Sequence, residues 1–182
     1  AVMAALMHDA MEDCGVTKPV LIERFGAPTA EMVDGLTKLD KLQFSTREQG
    51  QAESFRKMLL AMARDVRVIL IKLADRQHNM RTLAAMPAPK RERIARETLD
   101  IYAPIAHRLG LNQVYRELQD QSFERLFPWR YRVLANAVKR ARGTRRDVVE
   151  RMRKEVEGAF ATAKMKVQTT GREKTVFSIY QK

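Results

Sequence analysis

The sequence predicts a mostly α-helical chain whose last residues open an α/β unit. Three observations carry that reading. Apolar residues recur at three- and four-residue steps along most of the chain up to Lys164. Gly and Pro fall at helix-length intervals, as stops and starts. Only Met165 to Thr170 alternates and is rich in Val and Thr, the pattern of a strand.

The elements follow in order. Ala1 to Cys14 reads as a helix already under way, with no start methionine and no Ser, Thr, Asp or Asn cap before it. The chain therefore reads as a fragment with sequence upstream. Gly15 stops that helix, and Thr17-Lys18-Pro19 starts the next, Val20 to Phe25, which Gly26 ends. Thr29 to Lys38 follows, with Ala30, Val33, Leu36 and Thr37 on one face. Asp40 to Gly50 is polar and reads as a loop. Helical patterns then run from Gln51 to Ala63 and from Val66 to Met86, where Pro87 and Pro89 end them. Lys90 to Leu109 is expected to be helical, bent at Pro104 and closed by Gly110. Leu111 to Leu126, Tyr131 to Arg142 and Arg145 to Lys164 complete the helices, broken at Pro128 and Gly143. After the strand-like stretch, Gly171 to Lys174 reads as a turn, and Val176 to Lys182 begins another element.

Composition removes several function classes. Of 182 residues, 45% are apolar and 31% charged, enough for a core and unlike a disordered chain. One cysteine, Cys14, excludes an internal disulfide framework and a Cys-rich zinc site, and fits a reducing cytoplasm. No apolar run approaches the roughly 20 residues of a membrane span. The formal charge of +12 implies anionic partners. Much of the surplus lies between Arg125 and Lys154, where eleven basic residues face only Asp147 and Glu150. That stretch reads as solvated helix faces connecting two halves; an RNA or ribosome contact is the rival, with Phe127, Trp129 and Tyr131 near its start as stacking groups.

Chemistry concentrates first in His8, Asp9, Glu12 and Asp13. At about 100° per residue they share one side of a helix, with Met3, Met7, Ala10 and Met11 opposite. Carboxylates this close resist ionising together unless a cation holds them. An imidazole beside a carboxylate suits Mn, Fe or Zn. The same residues also fit a solvated polar face ending in a histidine.

The second cluster is Lys72-Leu73-Ala74-Asp75-Arg76-Gln77-His78-Asn79-Met80-Arg81-Thr82. Asp75, Asn79 and Thr82 recur at i, i+4 and i+7, hence on one face. Ile69, Leu70, Ile71 and Leu73 would bury the approach, so Asp75 needs a partner. Arg76 or a metal would serve, and an ordinary Asp-Arg surface pair remains open.

An HD pair followed by a distant Asp resembles the HD phosphohydrolase superfamily. With Phe55-Arg56-Lys57-Met58, the Lys72 to Thr82 run, and Tyr102-Ala103-Pro104-Ile105-Ala106-His107-Arg108-Leu109-Gly110, the ordered set resembles the RelA/SpoT family of bifunctional (p)ppGpp synthetase/hydrolases over almost the whole chain. The resemblance implies an HD-superfamily helical domain over residues 1–124, a basic helical connector over 125–164, and the first strand and helix of an α/β synthetase domain over 165–182.

It also implies roles. His8, Asp9 and Asp75 would be metal ligands, with Mn²⁺ the ion and one more histidine ligand upstream of Ala1. Glu12 and Asp13 would be the catalytic acidic pair, and Asn79 and Thr82 would contact the guanosine of guanosine tetra- or pentaphosphate. The implied activity is hydrolysis of the 3′-pyrophosphate of (p)ppGpp to GDP or GTP and pyrophosphate, in the cytoplasm, weak or absent from these residues alone without the upstream histidine. Arg172, Lys174, Ser178 and Lys182 would meet ATP phosphates in the synthetase domain, whose acidic residues would come later than Lys182, so no synthesis is expected from this stretch. Two rivals differ in kind: the basic RNA- or ribosome-binding module, and a catalytically silent regulatory domain.

Overall fold

The computed structural model describes residues 1–40, 65–142, 146–169, 171 and 174–182. The expected loop after Asp40, the Gln51 to Ala63 helix, the Phe55 to Met58 motif, Gly143 and Arg172 lie outside the described residues. The chain divides into two units, Ala1–Ser122 and Phe123–Lys182.

The first unit opens with α1 (Val2–Leu6) and α2 (Ala10–Asp13), not with one continuous helix. The break at Met7 to Asp9 has a local cause. The His8 ring takes the Ala5 carbonyl at 2.9 Å, which in an unbroken helix would accept the Asp9 amide. The break also re-aims the side chains. Ala4 is buried and Met7 and Met11 pack on the core, but Met3, expected on the apolar side, is half exposed. Cys14 is exposed.

Gly15 then reverses the chain at φ +63°, a conformation L side chains rarely adopt. Helix α3 (Lys18–Phe25) starts after Thr17 with Pro19 in its first turn, and Gly26 ends it. Helix α4 (Ala27–Asp40) buries Ala30, Val33, Leu36 and Thr37, the four residues whose spacing predicted its inner face.

Helix α5 (Val66–Thr82) is the centre of this unit. Asp65 caps it by accepting the Arg67 amide at 2.9 Å. Val68 and Ile71 join Leu21, Val33 and Leu36 in one apolar cluster with α1 and α4. Ile69 and Leu73 are also buried, whereas Leu70, counted on the same approach, is substantially exposed. A short 3₁₀ turn, Leu83–Ala85, extends the helix toward Pro87.

Helix α6 (Ala88–Glu97) continues through a π-helical turn, Thr98–Tyr102, into α7 (Ala103–Arg108). The expected bend at Pro104 thus takes the form of a widened turn just before it. Proline lacks the amide that would close on the Asp100 carbonyl, and the Ala103 amide reaches back to the Thr98 carbonyl instead. Gly110, at φ +74°, leads into α8 (Asn112–Leu126).

The second unit comprises the last residues of α8 with α9 (Pro128–Arg142), α10 (Arg146–Thr162) and α11 (Val176–Tyr180). Phe123, fully buried, gathers Tyr180, Phe177, Phe127 and Tyr131 at ring-centroid distances of 4.5, 5.5, 5.9 and 6.0 Å. Residues 165–169, where alternation predicted a strand, form no ladder among the described residues. They turn back after Lys164, and the Thr169 hydroxyl donates to Glu157 on α10. A strand requires a partner to take its backbone groups. No helix among the described residues is long and apolar enough to cross a membrane.

Candidate active site

The break between α1 and α2 and the middle of α5 build the site together. In the break, the imidazole of His8 is fixed from behind. A carbonyl oxygen can only accept, so the contact with Ala5 places a proton on Nδ1 and leaves Nε2 facing forward. Nε2 lies 2.9 Å from Asp9 Oδ2 and 3.4 Å from Asp75 Oδ1. Two residues from the first segment and one from α5 therefore meet at one nitrogen.

Asp75 is well buried and its two oxygens have different surroundings. Oδ1 faces His8 and accepts from Asn79 Nδ2 at 2.9 Å. Oδ2 lies 3.3 Å from the ammonium of Lys72, one turn earlier on α5. Arg76, one of the two partners the sequence offered, points elsewhere. Its guanidinium pairs with Glu97 at 3.2 Å and lies 4.0 Å above the Tyr102 ring. Consecutive helical residues diverge by about 100°, so Arg76 cannot share the Asp75 face. The surface Asp-Arg pair is thereby excluded.

Lys72 is the member of this cluster that sequence reasoning gave no role. A signal was present: a lysine three residues before Asp75, inside an otherwise apolar run, must bury its charge beside a carboxylate.

The electrostatics reflect crowding. The Asp9 carboxyl is pushed above its ordinary range, first by burial, with Asp75 and Asp13 repelling it while His8 and Lys72 act the other way. Glu12 and Asp13 follow on α2 with exposed side chains. Asn79 joins the cluster through Asp75. Thr82 does not, since its hydroxyl donates to the His78 carbonyl at 3.1 Å. Lys174, Ser178 and Lys182 belong to the second unit. Lys174 and Lys182 are exposed, and Ser178 sits in the cap of α11, where Thr175 Oγ1 accepts its amide.

The donors suit a divalent cation. With Nδ1–H committed to Ala5, Nε2 is the nitrogen left to meet two carboxylate oxygens, and a proton on it or a cation between them offsets the negative charge they bring together. An imidazole nitrogen within 3.4 Å of two carboxylate oxygens is a donor set whose chemistry suits a divalent transition metal. Among the described residues no group of three or more His, Cys, Asp or Glu side chains stands in metal-holding geometry; His8 contacts Asp9 and Asp75, and Asp75 contacts Lys72.

The HD domain family model matches residues 1–112 and implies a divalent metal. A guanosine-3′,5′-bis(diphosphate) 3′-pyrophosphohydrolase from Vibrio cholerae is 56% identical over 98% of this chain and 25% of its own length. The protein of the same name from Haemophilus influenzae is 53% identical over 100% of the chain and 27% of its own length. The bifunctional (p)ppGpp synthase/hydrolase SpoT of Escherichia coli is 51% identical over 99% and 26%. The chain thus spans about a quarter of the length of these curated relatives. It belongs to the HD domain family, and within it the resemblance to the RelA/SpoT proteins holds over nearly the whole chain.

Proposed function

We propose that this chain carries the centre of a metal-dependent hydrolase that removes the 3′-pyrophosphate of (p)ppGpp in the cytoplasm, yielding GDP or GTP and pyrophosphate. The observation that carries the reading is the meeting of His8 Nε2 with Asp9 and Asp75 from separate elements. The names of the similar proteins support the substrate class.

His8, Asp9 and Asp75 would hold Mn²⁺. Bound there, such an ion lowers the pKa of a coordinated water and neutralises phosphoryl charge. Ala5 keeps the His8 ring in the tautomer that presents Nε2. Glu12 and Asp13, exposed beside the cluster, would orient the attacking water and take its proton. Asn79 would hold Asp75 and reach the guanosine, and Thr82 would contact the nucleoside one turn later.

The test is pyrophosphate release from ppGpp in Mn²⁺ by a protein extended upstream of Ala1. Release that survives Asp75→Ala unchanged would sink the reading.

A second reading, docking of RNA or the ribosome, is favoured by one observation: Trp129 is 71% exposed on α9, a helix without a single acidic residue. Binding that weakens steeply with salt and quenches the fluorescence of this sole tryptophan would support it.

A further inference from the structure

We propose that Lys72 is the resident counter-cation of the metal centre: its buried ammonium anchors Asp75 while no metal is bound, and its charge holds the affinity for a divalent ion down. The inference rests on the metal-dependent reading above and adds to it a residue with its own measurable effect.

Lys72 is only 6% exposed, in a residue type that is almost never fully buried without a partner. Its ammonium lies 3.3 Å from Asp75 Oδ2, on the oxygen turned away from His8. The division of labour on Asp75 is therefore spatial. Oδ2 is held by Lys72, while Oδ1, steadied by Asn79, faces the point shared with His8 Nε2. A carboxylate clamped on one oxygen offers the other in a fixed direction.

The charge follows the same geometry. Asp9 and Asp75 bring two negative charges to a partly dehydrated site, and Lys72 returns one positive charge. Without it, the empty site would hold two neighbouring carboxylates that repel, at a cost to folding. With it, an arriving dication meets a smaller net negative charge and is itself repelled by the ammonium. The ion binds less tightly than the carboxylates alone would allow, and the pocket keeps its shape when the ion leaves.

The test has two arms in the intact chain. In chelator, thermal unfolding is measured for Lys72→Met, Asp75→Asn and the double variant. Each single change should lower the Tm, and the double variant should recover part of the loss, because it removes both members of the buried pair together. In graded Mn²⁺, the rise in Tm reports affinity. Lys72→Met should bind the ion on the order of tenfold more tightly than wild type, while Lys72→Arg, which keeps the charge, should stay close to wild type.

Additive losses in chelator, or unchanged or weaker Mn²⁺ affinity in Lys72→Met, overturn the proposal. If Lys72→Met does not fold in chelator, recovery by Mn²⁺ or by added Asp75→Asn supports it, and failure of both overturns it. If wild type shows no Mn²⁺ response at all, the metal reading fails together with the affinity half of the proposal, while the chelator arm still decides whether Lys72 anchors Asp75.

Discussion

His8 Nε2 lies 3.4 Å from Asp75 Oδ1, and the opposite ring nitrogen of His8 is tied to the Ala5 carbonyl at 2.9 Å. A histidine held from behind and facing a largely buried carboxylate on α5 is the relationship on which the proposed cation site depends. Asp75→Ala removes one donor and leaves Lys72 buried beside the gap. In a protein extended upstream of Ala1, we expect hydrolysis of ppGpp to fall on the order of a hundredfold or more. Isothermal titration with Mn²⁺ should show binding lost in the same variant.

Glu12 differs because its side chain is exposed next to the cluster and is not one of the three converging donors. Glu12→Ala should leave Mn²⁺ affinity within about twofold while turnover falls about 10²- to 10⁴-fold, the range for loss of a general base. Equal losses of affinity and turnover would instead make Glu12 a ligand.

The helical face bearing Asp75 and Asn79 was legible because α5 keeps its period without interruption. So was the inner face of α4. The break at His8 was not, since no Gly or Pro marks it; it arises when a side chain competes with the backbone for the Ala5 carbonyl. One of the two partners offered for Asp75 fails for a related reason. Sequence adjacency suggested Arg76, but the answer depends on Glu97 and Tyr102, which only folding brings to that guanidinium. The Val and Thr alternation at 165–169 states a preference that no strand among the described residues satisfies.

Glu117 ties α8 to α5. It accepts from Arg81 at 2.6 and 2.9 Å, and from Gln121 on its own helix at 3.0 Å. Its carboxyl is held below the ordinary range, chiefly by Arg81, against a smaller opposing effect of burial. A lowered folded value stabilises the protein above the unfolded pKa of about 4.3, and the gain disappears as pH falls through the folded value. Glu117→Gln should therefore lower the Tm at pH 7 by about 2–4 °C. That difference should shrink steadily below about pH 4. A gap constant down to pH 3 would mean that the charge contributes nothing.

Phe123 organises the second unit, with its ring against Tyr180 and Phe177 of α11. Phe123→Ala removes a fully buried aromatic ring and should cost about 3–5 kcal/mol. Amide exchange should then accelerate in residues 176–180 first, because α11 is short and its hold depends on these rings. Unchanged protection there would show that α11 is secured by something other than this cluster.

Gly35 on α4 decides how closely that helix meets α5. A Cβ at this position would stand 3.3 and 3.5 Å from the two methyl groups of Val68, which is itself buried. An added methyl is near the limit of ordinary contact, and alanine's better helix propensity of about 1 kcal/mol offsets part of the strain. Gly35→Ala should therefore change stability little. Gly35→Val adds two further methyls against a side chain with no room to retreat, and should destabilise by about 1–3 kcal/mol. The strain falls on the α4–α5 contact, seven residues before Asp75 on α5, so turnover should fall with stability in Gly35→Val and be kept in Gly35→Ala. Chemical denaturation and pyrophosphate release on the two variants separate the outcomes: equal behaviour would mean that α4 does not set the position of the helix carrying Asp75.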